Sequence, residues 1–292
     1  MGTIGFYIFY GINWIITLLP LRILYVFSDF LFILLYYIIS YRKKVVTKNL
    51  RNAFPEKSPH ELNLISRKFY RHLADLIIET LKLTHLSNKE LKRRMIYKNS
   101  ELTESLYNSG RNVIAIHSHY NNWEWLGACF PLYTRYAIVS AYKPVKNKLF
   151  DKFLNNLRSR NNGGLSPMKH IVRKIIDNQN NKIRTLYGFI ADQTPAKSQI
   201  RYYTTFLNQE TPVFLGVEKI AEKYDMSVVF ANVQKIRRGY YEITMELLFE
   251  STTGLPEYEV TEKHVKRLED LIREKPEYWI WTHRRWKYKK QA

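Results

Sequence analysis

Val113-Ile-Ala-Ile-His117-Ser-His119-Tyr-Asn121-Asn122-Trp-Glu124-Trp125 is the stretch on which the fold turns. Four apolar residues, 113–116, form a run with no polar alternation, as in a strand covered on both faces of a sheet. The run empties into His117-Ser118-His119. Asn121-Asn122 then supplies the residue type that opens a helix by accepting a bond from an early N–H. A buried strand, a short polar turn and a helix start are the parts of an α/β unit. Working outward, further β-rich runs fall at 135–142, 183–190, 226–233 and 240–248. Helical stretches fall between several of them, at 123–130, 147–158, 170–178 and 212–224. Upstream, Ser58-Pro59-His60-Glu61 is a capping box with proline at the first helical position, and apolar residues recur at helical spacing to about 84. A last helix at 262–274 stops before Pro276. The alternation predicts an α/β fold: one domain with a mixed, largely parallel sheet covered by helices.

The first forty residues differ from the rest. Only Arg22 and Asp29 are charged between Met1 and Tyr41. Two apolar runs, 4–19 and 23–41, flank Pro20-Leu21-Arg22. Twelve Ile, Leu, Val or Phe residues in the second run favour insertion by about 4–7 kcal/mol, against a cost of at most about 3 for Asp29. Neither a basic start nor a small-residue cleavage site marks a signal peptide. Arg42, Lys43, Lys44, Lys48 and Arg51 follow, and by the positive-inside rule this flank and the body after it face the cytoplasm. The expected organisation is a hydrophobic membrane anchor over 1–41 and a cytoplasmic α/β domain over 42–292. One span, a hairpin and a span plus an interfacial helix all remain open.

The 292 residues carry 46 Lys and Arg against 26 Asp and Glu, a formal charge of +20, which predicts an acidic partner or an anionic surface. No helix-turn-helix or RNA-binding motif points to nucleic acid. One cysteine excludes a disulfide framework and a multi-cysteine zinc site. Cys129 lies in an apolar helical stretch and packs rather than reacts. The G-x-S-x-G elbow of serine hydrolases is absent. His119 and Glu124 are five apart, about 140° round a regular helix, so they meet only if His119 precedes the helix and Glu124 lies in its first turn. An imidazole steadied by a carboxylate is then a general base suited to neutral pH. A surface helix-start pair has the same spacing. His117, His119 and Glu124 are read as no metal site. Asp192-Gln193 follows the strand ending at 190, where open α/β sheets place ligand-binding loops.

His-Tyr-Asn-Asn-Trp-Glu (119–124) resembles the H-x4-D/E motif of the glycerolipid acyltransferase superfamily. Its N-W-E ending resembles the bacterial lipid A biosynthesis acyltransferases, the lauroyl/myristoyl transferase family. Further stretches resemble the family in order: KNLRNAFPE (48–56), AYKPVKNKLFDKFLNNLRSRNNG (141–163), ADQTP (191–195), TPVFLGVEKIA (211–221) and PEYWIWTHRRWK (276–287). The resemblance implies transfer of a fatty acyl chain from acyl carrier protein, less often coenzyme A, to a hydroxyl of a lipid A precursor at the inner membrane. No cofactor is implied beyond that thioester co-substrate. His119 is then the general base and Glu124 its orienting partner, with Asn122, Lys143, Asn147, Arg158, Asp192 and Gln193 binding substrate. A lysophospholipid or aminolipid acceptor served by the same dyad is the alternative. Lys143 stands where the family has Arg, Thr205-Phe206-Leu207 replaces its Phe-Phe-Gly, and Glu277 its Gln. Ten Lys and Arg against two Asp between 141 and 182 fit anionic substrates, a carrier protein or the membrane surface. The tail 283–287 is expected to pack and to touch headgroups.

Overall fold

The computed structural model describes residues 2–288. Helices α1 (Thr3–Ile16) and α2 (Leu21–Ile33) are joined at Pro20, and α2 continues as a π-helical turn to Ile38. After α3 (Lys43–Ala53) comes the long α4 (Pro59–Lys82), opened by the expected capping box: Ser58 N–H donates to Glu61 Oε2 at 2.8 Å, and Glu61 N–H to Ser58 Oγ at 3.3 Å. The chain then runs α5 (Asn88–Arg94), β1 (Met95–Tyr97), α6 (Ser100–Asn108), β2 (Val113–His117), α7 (Trp123–Cys129), β3 (Ala137–Tyr142) and α8 (Lys148–Arg158). It continues through β4 (Gly164–Pro167), α9 (Ile171–Asn180), β5 (Thr185–Ile190), β6 (Tyr202–Phe206), β7 (Gln209–Val213), α10 (Gly216–Tyr224), β8 (Ser227–Arg237), β9 (Tyr240–Phe249) and α11 (Glu259–Glu274).

Seven strands form one sheet in the order β1-β9-β8-β2-β5-β3-β4, and β6–β7 is a separate antiparallel hairpin. Only the β8–β9 contact in the large sheet is antiparallel, so five neighbouring strands run the same way. The fold is therefore the mixed, largely parallel α/β sheet with helical cover that the alternation predicts. β2 lies at its centre, between β5 and β8, with Val113, Ile114, Ala115 and Ile116 buried. A strand covered on both faces has no use for alternation, which is why this one is uniformly apolar.

Leu21, Leu24, Ser28 and Phe32 form the buried stripe of α2, which packs on α4. Ser28 Oγ donates to Asp75 of α4 at 2.7 Å, and Asp29 pairs with Arg238 at 2.8 Å. The outward side of α2 exposes Val26, Phe30 and Ile33, and α1 exposes Ile4, Ile8, Ile12 and Ile15. Residues 21–38 make a helix long and apolar enough to cross a membrane, with mean hydropathy 1.8. These helices nonetheless belong to the core: Phe6, Leu21 and Leu24 join the cluster under the sheet, and Phe32 and Tyr36 the cluster around Trp279 and Trp281.

Candidate active site

Parallel pairing brings the site together. His117 of β2 lies opposite Ile190 of β5, and Ala191 N–H donates to the His117 carbonyl at 3.2 Å. Two residues past each strand end, His119 and Asp192 meet. Asp192 Oδ1 is 2.7 Å from His119 Nδ1, and Oδ2 accepts from the His119 backbone N–H at 2.9 Å. Trp279 Nε1 donates to the same Oδ2 at 2.8 Å. Asp192 is buried. Burial alone would raise its carboxyl, but the His119 charge and the His119 and Trp279 hydrogen bonds outweigh it, lowering the pKa to about 2. An ionised Asp192 can only accept, so His119 Nδ1 carries the proton, and in the neutral ring Nε2 is the nitrogen that keeps its lone pair. Gln193 Nε2 lies 3.1 Å from that lone pair as donor. The imidazole is thus held at one nitrogen and presented at the other.

The turn between β2 and α7 is fixed at several points. Asn121 takes a left-handed conformation, φ 52°, which asparagine tolerates better than most residues. Its N–H donates to the Tyr278 carbonyl at 3.0 Å and its Nδ2 to the Val233 carbonyl at 2.7 Å. Asn122 caps α7, accepting from Trp125 N–H at 2.9 Å, and its Nδ2 donates to the buried Glu79 at 2.6 Å. Glu79 also accepts from Tyr241 and Tyr25, each at 2.7 Å. This carboxylate inside α4 ties the start of α7 to β9 and to α2.

Three expectations are corrected here. Glu124 does not hold the imidazole. It lies in the first turn of α7 and receives Arg158, the last residue of α8, through Nε at 2.8 Å and Nη2 at 2.5 Å. Trp123 stands between the groups: its ring meets His119 edge-on at 5.0 Å, and its Nε1 donates to Glu124 at 3.2 Å. Asn122, expected to bind substrate, is fully buried with its amide spent on the cap and on Glu79. Asp192, also expected to bind substrate, is buried and committed to His119 and Trp279.

The remaining predicted residues are spread out. Gln193 is at the imidazole. Arg158 is across Trp123 from it; burial pulls its pKa down, but the Glu124 hydrogen bonds and charge leave it above the usual guanidinium value. Asn147 caps α8, accepting from Leu149 N–H and Phe150 N–H at 3.1 and 3.0 Å. Lys143 is exposed in the loop after β3.

Sequence reasoning missed Trp279, Arg285 and Glu79. Arg285 lies in the tail 283–287, expected to pack and to touch headgroups, and Trp279 lies just before it; both are buried, and Arg285 Nη1 donates to the Pro212 carbonyl at 2.7 Å. Burial lowers Arg285 to about 10, and lowers His117 and His283 each to about 4, so these imidazoles are neutral around His119 at neutral pH. The one available signal for Glu79 was an acid on the apolar stripe of α4. Behind Asp192, Ile116, Phe206, Phe230 and Leu268 enclose about 10 Å³, room for a water and not for an acyl chain. Cys129 is buried, and burial pushes its thiol up to about 12. Among the described residues no group of three His, Cys, Asp or Glu side chains is arranged for a metal.

An imidazole fixed by a buried carboxylate at the C-terminal edge of an α/β sheet is equipped to take a proton from a bound hydroxyl. Among curated proteins none matches the chain. The model of the bacterial lipid A biosynthesis acyltransferase family matches residues 1–288. The chain belongs to that family, and is an acyltransferase acting on a lipid A-type substrate.

Proposed function

We propose that the protein moves a fatty acyl chain from the thioester of an acyl carrier protein to a hydroxyl of a lipid A precursor, with His119 as general base. The observation that carries this reading is the Asp192–His119 pair, with its Nε2 lone pair turned outward. The acceptor hydroxyl displaces the Gln193 amide and gives its proton to Nε2 as its oxygen attacks the thioester carbonyl. Collapse of the tetrahedral intermediate breaks the C–S bond, and the imidazolium returns the proton to the departing thiolate. Asp192 holds the tautomer and stabilises the imidazolium. Positioned proton transfer supplies about 10²–10⁴ in rate, so alignment of the two substrates supplies much of the rest. Arg158, braced by Glu124, is the cation we assign to the developing oxyanion or to an anionic group of the substrate. Gln193, at the imidazole, and the exposed Lys143 are the further groups we assign to the substrate. The reaction uses no cofactor beyond the thioester.

The apolar outer faces of α1 and α2, followed by Arg42, Lys43 and Lys44, support seating on the cytoplasmic face of the inner membrane. Because α2 packs along α4 and is paired through Asp29, we favour helices half-immersed in that face. Purified full-length protein, given acyl carrier protein charged with a fatty acid and a lipid A precursor, should add the mass of one acyl group to the acceptor. His119→Ala should abolish the product while melting like wild type. Turnover by that variant, or preference for a competing lysophospholipid, would overturn the reading.

A further inference from the structure

A second polar cleft, of about 480 Å³, opens beyond Tyr278. Lys68, Arg71, His72 and Asp75 of α4 line one wall, at the spacing that puts them on one helix face, and Lys235, Arg237 and Arg238 line another. Asp29 and Asp75 are spent within the walls, and the third acid of the lining, Glu277, makes no ion pair among the described residues. Asp75 receives Arg238 at 2.7 Å and Lys235 at 3.3 Å, and Asp29 receives Arg238 at 2.8 Å. Among the described residues no carboxylate pairs with Lys68, Arg71 or Arg237, all three of them exposed.

His72 adds a donor. It is 3% exposed, and its Nδ1 lies 3.3 Å from Lys235 Nζ, an ammonium that can only donate. The ring proton is therefore on Nε2, which is buried without a hydrogen-bond partner. Burial and the adjacent Lys235 hold the imidazole neutral. An unpaired N–H beside three cations that have no carboxylate partner, Arg71 lying over the Phe32 ring and Arg237 over the Tyr240 ring, matches a group with several acceptor oxygens and more than one negative charge. The rim supplies the rest of the identification: Asp29 belongs to α2, whose neighbouring Val26, Phe30 and Ile33 are exposed and apolar.

We propose that this cleft binds the terminal phosphate of a lipid phosphomonoester, with Lys68, Arg71, Arg237 and His72 on the phosphate and α2 against the lipid chains. A terminal phosphate offers three oxygens and close to two charges, whereas a phosphodiester offers two oxygens and one charge. The inference is independent of acyl transfer at His119, and the test keeps the two apart.

Full-length protein in neutral detergent micelles is titrated with phosphatidic acid, phosphatidylglycerol or inorganic phosphate, following binding by 31P line width and calorimetry. Phosphatidic acid should bind at least tenfold more tightly than the other two. Arg71→Gln/Arg237→Gln should weaken it by tenfold or more, while Lys146→Gln/Lys148→Gln, which removes equal charge elsewhere, and His119→Ala should not. Equal affinity for phosphatidylglycerol, or equal loss in the control double variant, would reduce the cleft to general basic charge and overturn the proposal. Inorganic phosphate binding as tightly as the lipid would overturn the lipid assignment. Loss of acyl transfer in His119→Ala with phosphatidic acid binding retained supports both readings separately.

Discussion

Asp192→Asn keeps the shape of the side chain and changes which atoms donate. Oδ2 accepts two N–H groups, from the His119 backbone and Trp279, so the asparagine carbonyl must take that place. Its NH2 then faces His119 Nδ1, where the carboxylate had accepted a proton at 2.7 Å. Two donors cannot share one bond, so the imidazole moves its proton to Nε2 and loses the lone pair that receives the acceptor's proton. The rate should fall by about 10²–10⁴, the full value of positioned proton transfer. Stability should fall as well. Lowering the buried carboxyl from 3.8 to about 2 corresponds to about 2 kcal/mol at neutral pH. A depressed pKa stabilises above the unfolded value, so this contribution is complete above about pH 4 and lost as pH falls through about 2. The stability gap between wild type and variant should therefore be flat at neutral pH and close on acidification. Acyl transfer at saturating substrates gives the rate, chemical denaturation across pH gives the gap, and His119 15N shifts report the tautomer. Unchanged turnover with Nδ1 still protonated would refute the argument, as would Glu124→Gln switching the tautomer instead.

Glu124→Gln should leave the tautomer untouched and strand Arg158. With the two side chains 12% and 26% exposed, the loss should be about 2 kcal/mol, read as a melting temperature lower by roughly 5 °C; an unchanged melting point contradicts it. Glu79→Ala unpairs Asn122, Tyr241 and Tyr25 together, which should cost at least about 3 kcal/mol and reduce turnover through the freed α7 cap. Denaturant titration and kinetics check both effects. A fragment beginning at residue 42 loses the buried side chains of Phe6, Leu21, Leu24, Phe32 and Tyr36. At about 2 kcal/mol each that approaches the whole stability of a domain, so the fragment should not fold; a sharp melting transition with native near-ultraviolet circular dichroism would contradict this.

The sheet was legible where burial made the sequence uniform. Residues 113–116 are apolar throughout and 186–190 nearly so because neighbours cover both faces, and the Ser58–Glu61 box marks the start of α4. Legibility failed where charge or proline concealed strands. β8 runs on to Arg237, through Lys235, because its end leaves the core and lines the second cleft. A helix expected from residue 212 begins at Gly216, since Thr211-Pro212-Val213 pairs with β6 in a two-stranded hairpin. Pro212 is tolerated there because an edge position leaves its missing N–H unneeded. The closing Trp279 and Trp281 resemble an interfacial belt in composition, yet their indoles find partners at Asp192 and the Pro276 carbonyl and are buried.

The partner of His119 could not be read from spacing, because the distance that matters runs across the sheet. Five residues of chain separate His119 from Glu124, and a helix start intervenes that turns Glu124 toward α8. Seventy-three residues separate His119 from Asp192, yet parallel register sets His117 against Ile190 and makes the next residues of both strands neighbours. A carboxylate delivered by an adjacent strand is held by the ladder of the central sheet, whereas one in the first turn of a seven-residue helix depends on its cap. The site uses both kinds of support. Asp192 fixes the imidazole through the sheet, and Glu124 fixes Arg158 through a helix whose cap, Asn122, is itself held by Glu79. Proton transfer and charge stabilisation thus rest on separate scaffolds joined at Trp123, which is why Asp192→Asn and Glu124→Gln should both lower turnover while only the first moves the proton on His119.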